Sequence, residues 1–563
     1  MHPLTRVLKI LVSEQLPHEE DPMNANAQGD GHVIHLNGET LSFEDVMLAS
    51  LGYNGKFPLV ALDPDAEARI IATREVLDAR GEDSPPIYGY DTGCGSRRCL
   101  RIPHKDLVAY QASYIPVHAV GLGNPLPDHL VRAMILLRVN SFAKGNSAVT
   151  ITLCRRLLEL LNNNWLPVVP DSGSVGASGD LIPLAHLGTV LMGVPEAYVK
   201  LNGTIIRTDE LQRLTEFTPY VLQAKEAMAL TNGATMILAR AIFAYLRSLR
   251  FFHTANLAAA LHLEAIRGER AAFDARIHKA RNDKSAMAVA HDVRKYLKGS
   301  LRTTRKGQCI PVCESDDPKL KTFAAERVQD DYSTRAVPQA HGAVLSALNE
   351  LRRVLLLEMN ASTDNPLIFE HGGRMVSRSG ANFHGDPLAV PLEGVKIAMA
   401  KLARITNDRL YGLLDHDRSY GLPNDLVGSD KHGMTGFMIA QYGAASDAAF
   451  AASMCFPATL MSIPTSKGTE DYVSMASVTV EQLELLLRRV GFLMARCIHA
   501  TAQAISLGEP KLRKHARLGT YTGRAYAMLR ELFPMMEEDS FFQPELLQVL
   551  YLVENGDLDF SNK

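Results

Sequence analysis

Beyond about residue 225 the apolar residues of the chain recur at helical spacing over long stretches. "ATMILARAIFAYLRSLRFFHTANLAAALHLEAIRG" (234–268), "PQAHGAVLSALNELRRVLLLE" (338–358), "LAVPLEGVKIAMAKLARITNDRLYG" (388–412) and "VTVEQLELLLRRVGFLMARCIHATAQAISLG" (478–508) each predict a long helix. Pro338 and the Thr479…Gln482 pair supply start signals, Gly268 and Gly508 stop signals. Long helices with broad apolar faces must cover one another, which predicts a bundle. Before residue 225 the pattern is mixed. "HVIHLNGETLSFEDVMLAS" (32–50) predicts a strand, an Asn-Gly turn, a second short strand and a helix starting near Thr40 or Ser42. "YVKLNGTIIRTDELQRL" (198–214) repeats that design. Between them "IYGYDTGCGSRRCLRIP" (87–103) is glycine-rich and aperiodic, as in loops that form lids or binding sites.

The expected fold is therefore mainly α, an elongated central bundle of long helices with a mixed N-terminal domain carrying small hairpins. The expected divisions are a polar arm (1–32), the mixed domain (33–224), the bundle (225–510) and a small helical tail (511–563). A chain of 563 residues exceeds one compact core, which agrees. The bundle faces are apolar enough to predict burial between copies of the chain.

Charge and cysteine content narrow the partners. With 59 basic and 62 acidic residues the net charge is −3, which gives no reason to expect nucleic acid or an anionic membrane. No run of about 18 uncharged apolar residues predicts a membrane span. The apolar run near the N-terminus is short, is broken by Lys9 and lacks a small-residue cleavage site. Seven cysteines, an odd number in a long chain, suit a reducing cytoplasm better than a disulfide framework. "CIPVC" (309–313) lacks a second ligand pair at zinc spacing, so no metal is expected.

The candidate chemistry lies in "SGSVGASGDLIPLAH" (172–186). It has no Walker lysine, no G-x-G-x-x-G and no G-x-S-x-G. Taken alone, Ser178 capping a following helix, with Asp180 near its positive end, explains the stretch simply. A second explanation is that the backbone reacts. An amide nitrogen that attacks the carbonyl two residues earlier needs a residue without a side chain, and Gly179 qualifies. Ser178 offers a leaving hydroxyl on Cβ, and Ala177 is small. Closure with loss of two waters leaves a methylidene-bearing imidazolone ring, an electrophile that standard side chains do not supply.

"GSVGASGDLIPLAH" resembles the signature of the aromatic amino acid ammonia-lyase and aminomutase family, typified by histidine, phenylalanine and tyrosine ammonia-lyases. Further matches follow in order over roughly residues 35–510: "YGYDTGCG" (88–95), "VHAVGLGNPL" (117–126), "KEAMALTNGAT" (225–235), "RVQDDYSTRAVPQ" (327–339), "STDNPLIF" (362–369), "GANFHGDP" (380–387) and "PTSKGTEDYVSMAS" (464–477). The resemblance implies that Ala177-Ser178-Gly179 becomes 4-methylideneimidazole-5-one (MIO) without an external cofactor. It also implies a homotetramer whose active sites draw on more than one chain, and an active-site role for the mixed N-terminal domain.

The resemblance also implies roles. Tyr88 stands where the family has its base; a phenol of reference pKa about 10 must ionise more easily to serve, so a positive local field is expected there. Arg335 matches the carboxylate clamp, and Tyr332 and Gln329 match residues that position substrate and MIO. Asn232 matches the asparagine that hydrogen-bonds the MIO carbonyl, and Phe383 an aromatic packed over the group. Val117 and His118 face the substrate ring; the histidine is shared with histidine lyases, while Val117 replaces their serine. Glu470 matches histidine lyases, and a carboxylate with an imidazole suits the two nitrogens of an imidazole ring. Cys94 in place of phenylalanine, Asp91 in place of asparagine and His341 after Pro338-Gln339 depart from the pattern. The implied activity is an ammonia-lyase making a trans-acrylate, urocanate from histidine first and the product of tyrosine or another polar aromatic second. A 2,3-aminomutase shares every motif, and a non-catalytic helical scaffold is the remaining alternative.

Overall fold

The computed structural model describes residues 33–312, 328–372, 374–429 and 433–560. The polar arm, Cys313 and part of the polar string between 300 and 335 lie outside the described residues. Val33–Leu36 (β1) and Leu59–Leu62 (β2) pair in parallel, with Val33 opposite Leu59. Residues 32–50 therefore form no hairpin, contrary to the pattern. The Asn37-Gly38 turn is drawn away into tertiary contacts instead. Gly38 N–H donates to the buried Asn140 Oδ1 at 2.9 Å, and a Cβ on Gly38 would lie 2.7 Å from Lys144 N. The helix after it, Phe43–Leu51 (α1), starts as expected, with Ser42 and Asp45 closing a capping box.

The second Asn-Gly design does form a hairpin. Tyr198–Leu201 and Thr204–Arg207 pair antiparallel around Asn202-Gly203, whose φ values of 50° and 81° suit a tight hairpin turn. Around it lie Leu107–His118 (α2), the almost wholly buried Asp128–Ala143 (α3), Leu181–Leu191 (α4) and the one-turn-and-a-half Glu226–Thr231 (α5).

Five long helices follow: Thr235–Ile266 (α6), Val337–Met359 (α7), Asp386–Leu413 (α8), Met438–Ser453 (α9) and Ala476–Leu512 (α10). α10 packs on α6, α8 and α9, and α7 packs on α6 and α8. Pro338 sits in the first turn of α7, as predicted. Gly268 follows the left-handed cap Arg267 and donates its N–H to Leu263 O at 2.7 Å, a Schellman-type stop. Two boundary signals are corrected. Thr479 lies inside α10, where its hydroxyl bonds the buried Glu393 carboxylate at 2.9 Å, and Met475 is the cap. Gly508 does not end α10, which continues through Pro510 to Leu512 while Glu509 pairs with the buried Arg302. α10 is also the one described helix long and apolar enough to cross a membrane; 83% of its most apolar window is buried in the bundle.

Helix length positions everything that follows. At about 1.5 Å per residue α6 runs about 48 Å, and α8 about 42 Å, so the two ends of the bundle are far apart.

Candidate active site

Ala177, Ser178 and Gly179 lie just before α4. Ser178 has φ 60° and Gly179 φ 65°, two consecutive left-handed residues. Such a run is strained for serine and needs outside support. Gly233, between α5 and α6, supplies it: Gly233 N–H donates to Ser178 O at 3.3 Å and Gly233 O accepts from Asp180 N–H at 2.8 Å. The approach is so close that a Cβ on Gly179 would fall 2.0 Å from Gly233 C. Ser178 does not cap α4. Asp180 holds that position, and its fully buried carboxylate accepts from Ile237 N–H and Ser174 Oγ–H, both at 2.9 Å. Burial pushes the Asp180 carboxyl up to about 6, against those hydrogen bonds. On the other flank Gly176 O accepts from Gly385 N–H at 2.9 Å and Ser474 Oγ–H at 2.8 Å. These contacts bring the start of α8 and the segment before α10 onto the triplet.

Asn232 closes α5 beside Gly233. It is buried; its Nδ2 donates to Asn365 O at 3.0 Å, its backbone O accepts from Arg138 Nη1 at 2.9 Å, and its Oδ1 has no partner. Phe383 is half-buried two residues before Gly385. Asn232, through Gly233, thus meets the triplet at one end of the bundle, and Phe383 lies on the segment that reaches it through Gly385.

Tyr88 and Glu470 come together on two facing loops. Ser96 N–H donates to Ser466 Oγ at 2.9 Å and Arg98 Nη1 to Thr469 Oγ1 at 2.9 Å. Glu470, half-buried, accepts from Thr465 Oγ1–H at 2.6 Å. The Tyr88 hydroxyl accepts from Gly95 N–H at 3.0 Å. The expected positive field is not found. Burial pushes the phenol up to about 12; Cys94 and Glu470 add to the rise, and the Gly95 N–H and Arg98 oppose it. Cys94 lies 3.4 Å from the Tyr110 hydroxyl, and its thiol is pushed up to about 11 by burial. The unexpected Asp91 anchors this loop: it is buried, pairs with Arg80 at 3.1 Å and accepts from Ile87 N–H at 2.7 Å. At the end of α2, His118 stacks on Tyr114 with ring centroids 4.0 Å apart, and its Nδ1 lies 2.6 Å from Tyr114 O. Facing a carbonyl oxygen, Nδ1 must be the donor, and in the neutral ring that leaves Nε2 as an acceptor. Val117 beside it is 68% exposed.

Gln329, Tyr332 and Arg335 are elsewhere. Tyr332 and Arg335 begin and end a short helix that Gln329 precedes, and it packs on the C-terminal part of α8 through Arg409 Nη1 and Ser333 O at 3.3 Å. Gly385, which bonds Gly176 next to the triplet, precedes the first residue of α8, so roughly 36 Å of helix separate the two groups. Gln329 and Tyr332 are exposed, Tyr332 at 74%, and Arg335 lies with its guanidinium 4.5 Å from the Tyr332 ring centre. Among the described residues no group of three or more His, Cys, Asp or Glu gathers as a metal site would.

The family model for aromatic amino acid lyases matches residues 41–531. The chain belongs to the aromatic amino acid lyase family. A histidine ammonia-lyase from Anaeromyxobacter sp. (strain K) is 38% identical over 534 residues, covering 94% of this chain and 99% of that protein. The crystal structure of a tyrosine aminomutase from Streptomyces globisporus superposes with a TM-score of 0.84 at 28% identity, covering 94% of this chain and 98% of that one. A histidine ammonia-lyase from Trypanosoma cruzi gives 0.80 at 28% identity, covering 94% of each chain. As a lyase of this family the protein cleaves carbon–nitrogen bonds.

Within this lyase, Gly385, Lys225 and Asp364 lie inside the matched motifs without being named there as site residues, and Arg138 lies outside every one of them. Arg138 left a trace in the sequence. It is a lone charge inside the apolar run "MILLRVNSFA", which asks for a buried partner.

Proposed function

We propose that the protein is an MIO-dependent ammonia-lyase that converts L-histidine to urocanate and ammonia, working as a cytoplasmic homotetramer. The Gly179–Gly233 contact carries this reading. It leaves no room for a side chain at 179 and holds Ser178 and Gly179 in left-handed backbone, a tight local bend that suits a ring built from residues 177–179. The unpartnered Oδ1 of Asn232 supplies a buried polar atom beside it. Once formed, MIO supplies an electrophile that draws electrons from the substrate and eases departure of its amine. Everything else falls to side chains of the chain itself.

Tyr88 removes the β-proton. Pushed up to about 12 in a lone chain, it needs a cation nearby to ionise, and the Arg335 guanidinium is the candidate. Arg335 also holds the substrate carboxylate through its fork of N–H donors, with Tyr332 and Gln329 beside it. These three lie too far from Ser178 in one copy, so a second copy supplies them. Support for that assembly comes from α8, where the exposed Val390, Ile397 and Tyr411 fall on a seven-residue spacing with Arg404 in the gap. Glu470 and the Nε2 acceptor of His118 hold the imidazole ring, with Val117 in place of a polar neighbour. The 38% identity to a histidine ammonia-lyase supports histidine as substrate.

The likeness to a tyrosine aminomutase favours a second reading, in which ammonia returns at Cβ to give a β-amino acid. One assay separates the two. Purified protein is incubated with histidine, tyrosine, phenylalanine and DOPA in turn, and acrylate absorbance and β-amino products are followed. Urocanate from histidine alone supports the lyase; a β-amino acid supports the mutase. Full activity in Ser178→Ala overturns both.

A further inference from the structure

Behind the Gly233 contact lies a fully buried cation. Arg138 on α3 donates from Nη1 to Asn232 O at 2.9 Å and from Nη2 to Ser141 Oγ at 3.0 Å, with Thr363 Oγ1 at 3.5 Å. The Phe142 ring covers its guanidinium at 4.7 Å. It presses so closely on the next residue that a Cβ on Gly233 would fall 2.2 Å from Nη1. Burial draws the guanidinium down to about 10, with Asp364 and Asp180 opposing, so it stays charged at neutral pH.

Two peptide units link this charge to the reacting triplet. The first is Asn232–Gly233, whose carbonyl takes the Arg138 hydrogen bond and whose N–H donates to Ser178 O at 3.3 Å. The second is Ser178–Gly179, whose carbonyl takes that bond and whose nitrogen belongs to Gly179. A cation on a peptide carbonyl increases the double-bond character of its C–N bond and makes its N–H a better donor. Through the second unit the same polarisation makes the Gly179 N–H more acidic.

We propose that Arg138 is a positioning residue for maturation: through the Asn232–Gly233 peptide it promotes loss of the Gly179 amide proton and holds that nitrogen toward the Ala177 carbonyl. The inference rests on the MIO reading given above. In the step, the Gly179 N–H proton passes to a base and nitrogen forms a bond to the Ala177 carbonyl carbon. That carbon's oxygen takes the proton back from the base, picks up the Ser178 N–H proton and leaves as water. A second water is made from the Ser178 Cα–H proton and its Cβ hydroxyl. No oxidant or reductant is needed.

Maturation can be read without any activity assay, as the loss of two waters in the intact mass during expression and after purification. Arg138→Gln is expected to fold, melt cooperatively and assemble as the parent does, yet to lose the two waters on the order of ten- to a hundredfold more slowly, the worth of one hydrogen bond to a charged group. Arg138→Lys, which keeps the charge, is expected to mature faster than Arg138→Gln. A folded Arg138→Gln that matures at the parental rate overturns the proposal. Should Arg138→Gln not fold, the double variant Ser141→Ala/Thr363→Val, which keeps the arginine but frees Nη2, decides instead: slowed mass loss supports the role and an unchanged rate overturns it. The parent protein separates the two levels of inference. If the parent never loses two waters the MIO reading itself fails, whereas loss in the parent and equally fast loss in Arg138→Gln removes only the role of Arg138.

Discussion

Lys225 Nζ lies 2.5 Å from Asp364 Oδ2, and neither side chain is exposed to solvent. The pair ties the start of α5 to the segment that holds its end, because Asn365, next to Asp364, accepts from Asn232 Nδ2. Burial draws the Lys225 ammonium down from its usual range, and Asp364 pulls it back. Removing one partner leaves an uncompensated charge. Lys225→Met or Asp364→Asn is therefore expected to lower stability by about 3–5 kcal/mol, whereas replacing both by apolar residues costs less. Urea unfolding of the two single variants and the double variant checks this; a double variant no better than the singles would contradict it.

Gly179 and Gly203 both have positive φ, but their surroundings differ. A Cβ at Gly203 meets nothing within 4 Å, and one at Gly179 meets the Gly233 backbone. Gly203→Ala is expected to cost only about 1 kcal/mol, the penalty of the left-handed backbone, and to mature fully. Gly179→Ala is expected to block maturation, so its intact mass keeps both waters. Melting temperature and mass together test the pair.

The contrast shows what was legible from the sequence. Four of the five long helices (all but Met438–Ser453), the second hairpin and the residues around Ser178 follow from apolar spacing, Asn-Gly turns and motif order. The first Asn-Gly turn misleads because its backbone bonds to Asn140, a partner 102 residues away that local pattern does not name. Thr479 misleads for the same reason: its hydroxyl serves Glu393 and not a helix start. The local field at Tyr88 was illegible too, since burial and the neighbours Cys94 and Glu470 are tertiary facts.

If Tyr88 is the base proposed above, it sets a pH dependence. In a lone chain burial pushes the phenol up to about 12, and the Arg335 guanidinium of a second copy brings it down only in part, so the reactive phenolate fraction still rises tenfold per pH unit until the phenol's own value is approached. kcat/KM is expected to climb with pH above neutrality. Glu470 is one of the groups that raise this phenol, so Glu470→Gln should move the climb to lower pH, whatever it does to KM. Tyr88→Phe should lose on the order of a hundredfold or more in kcat without loss of folding. A pH–rate profile that is flat above neutrality, or unmoved in Glu470→Gln, would show that Tyr88 is not the base.

The distance between Ser178 and Arg335 makes the sharpest demand. Gly385 touches Gly176 at the start of α8, and Ser333 bonds Arg409 near its end, so about 36 Å of helix keeps the two apart within a copy. If one site takes Ser178 from one copy and Arg335 from another, a dead variant and an impaired one can repair each other. Ser178→Ala lacks the electrophile at every site it builds alone, and Arg335→Ala lacks the clamp, with an expected loss of about ten- to a hundredfold in kcat/KM. Co-expressed, the two form mixed assemblies in which some sites combine an intact Ser178 with an intact Arg335, so activity should return well above either variant alone. Ile397→Glu, placed on the exposed stripe of α8, should weaken assembly and abolish the recovery. Mixing that yields only the average of the two single variants would mean that each copy builds its own site, and that the bundle must bend far from the arrangement seen here.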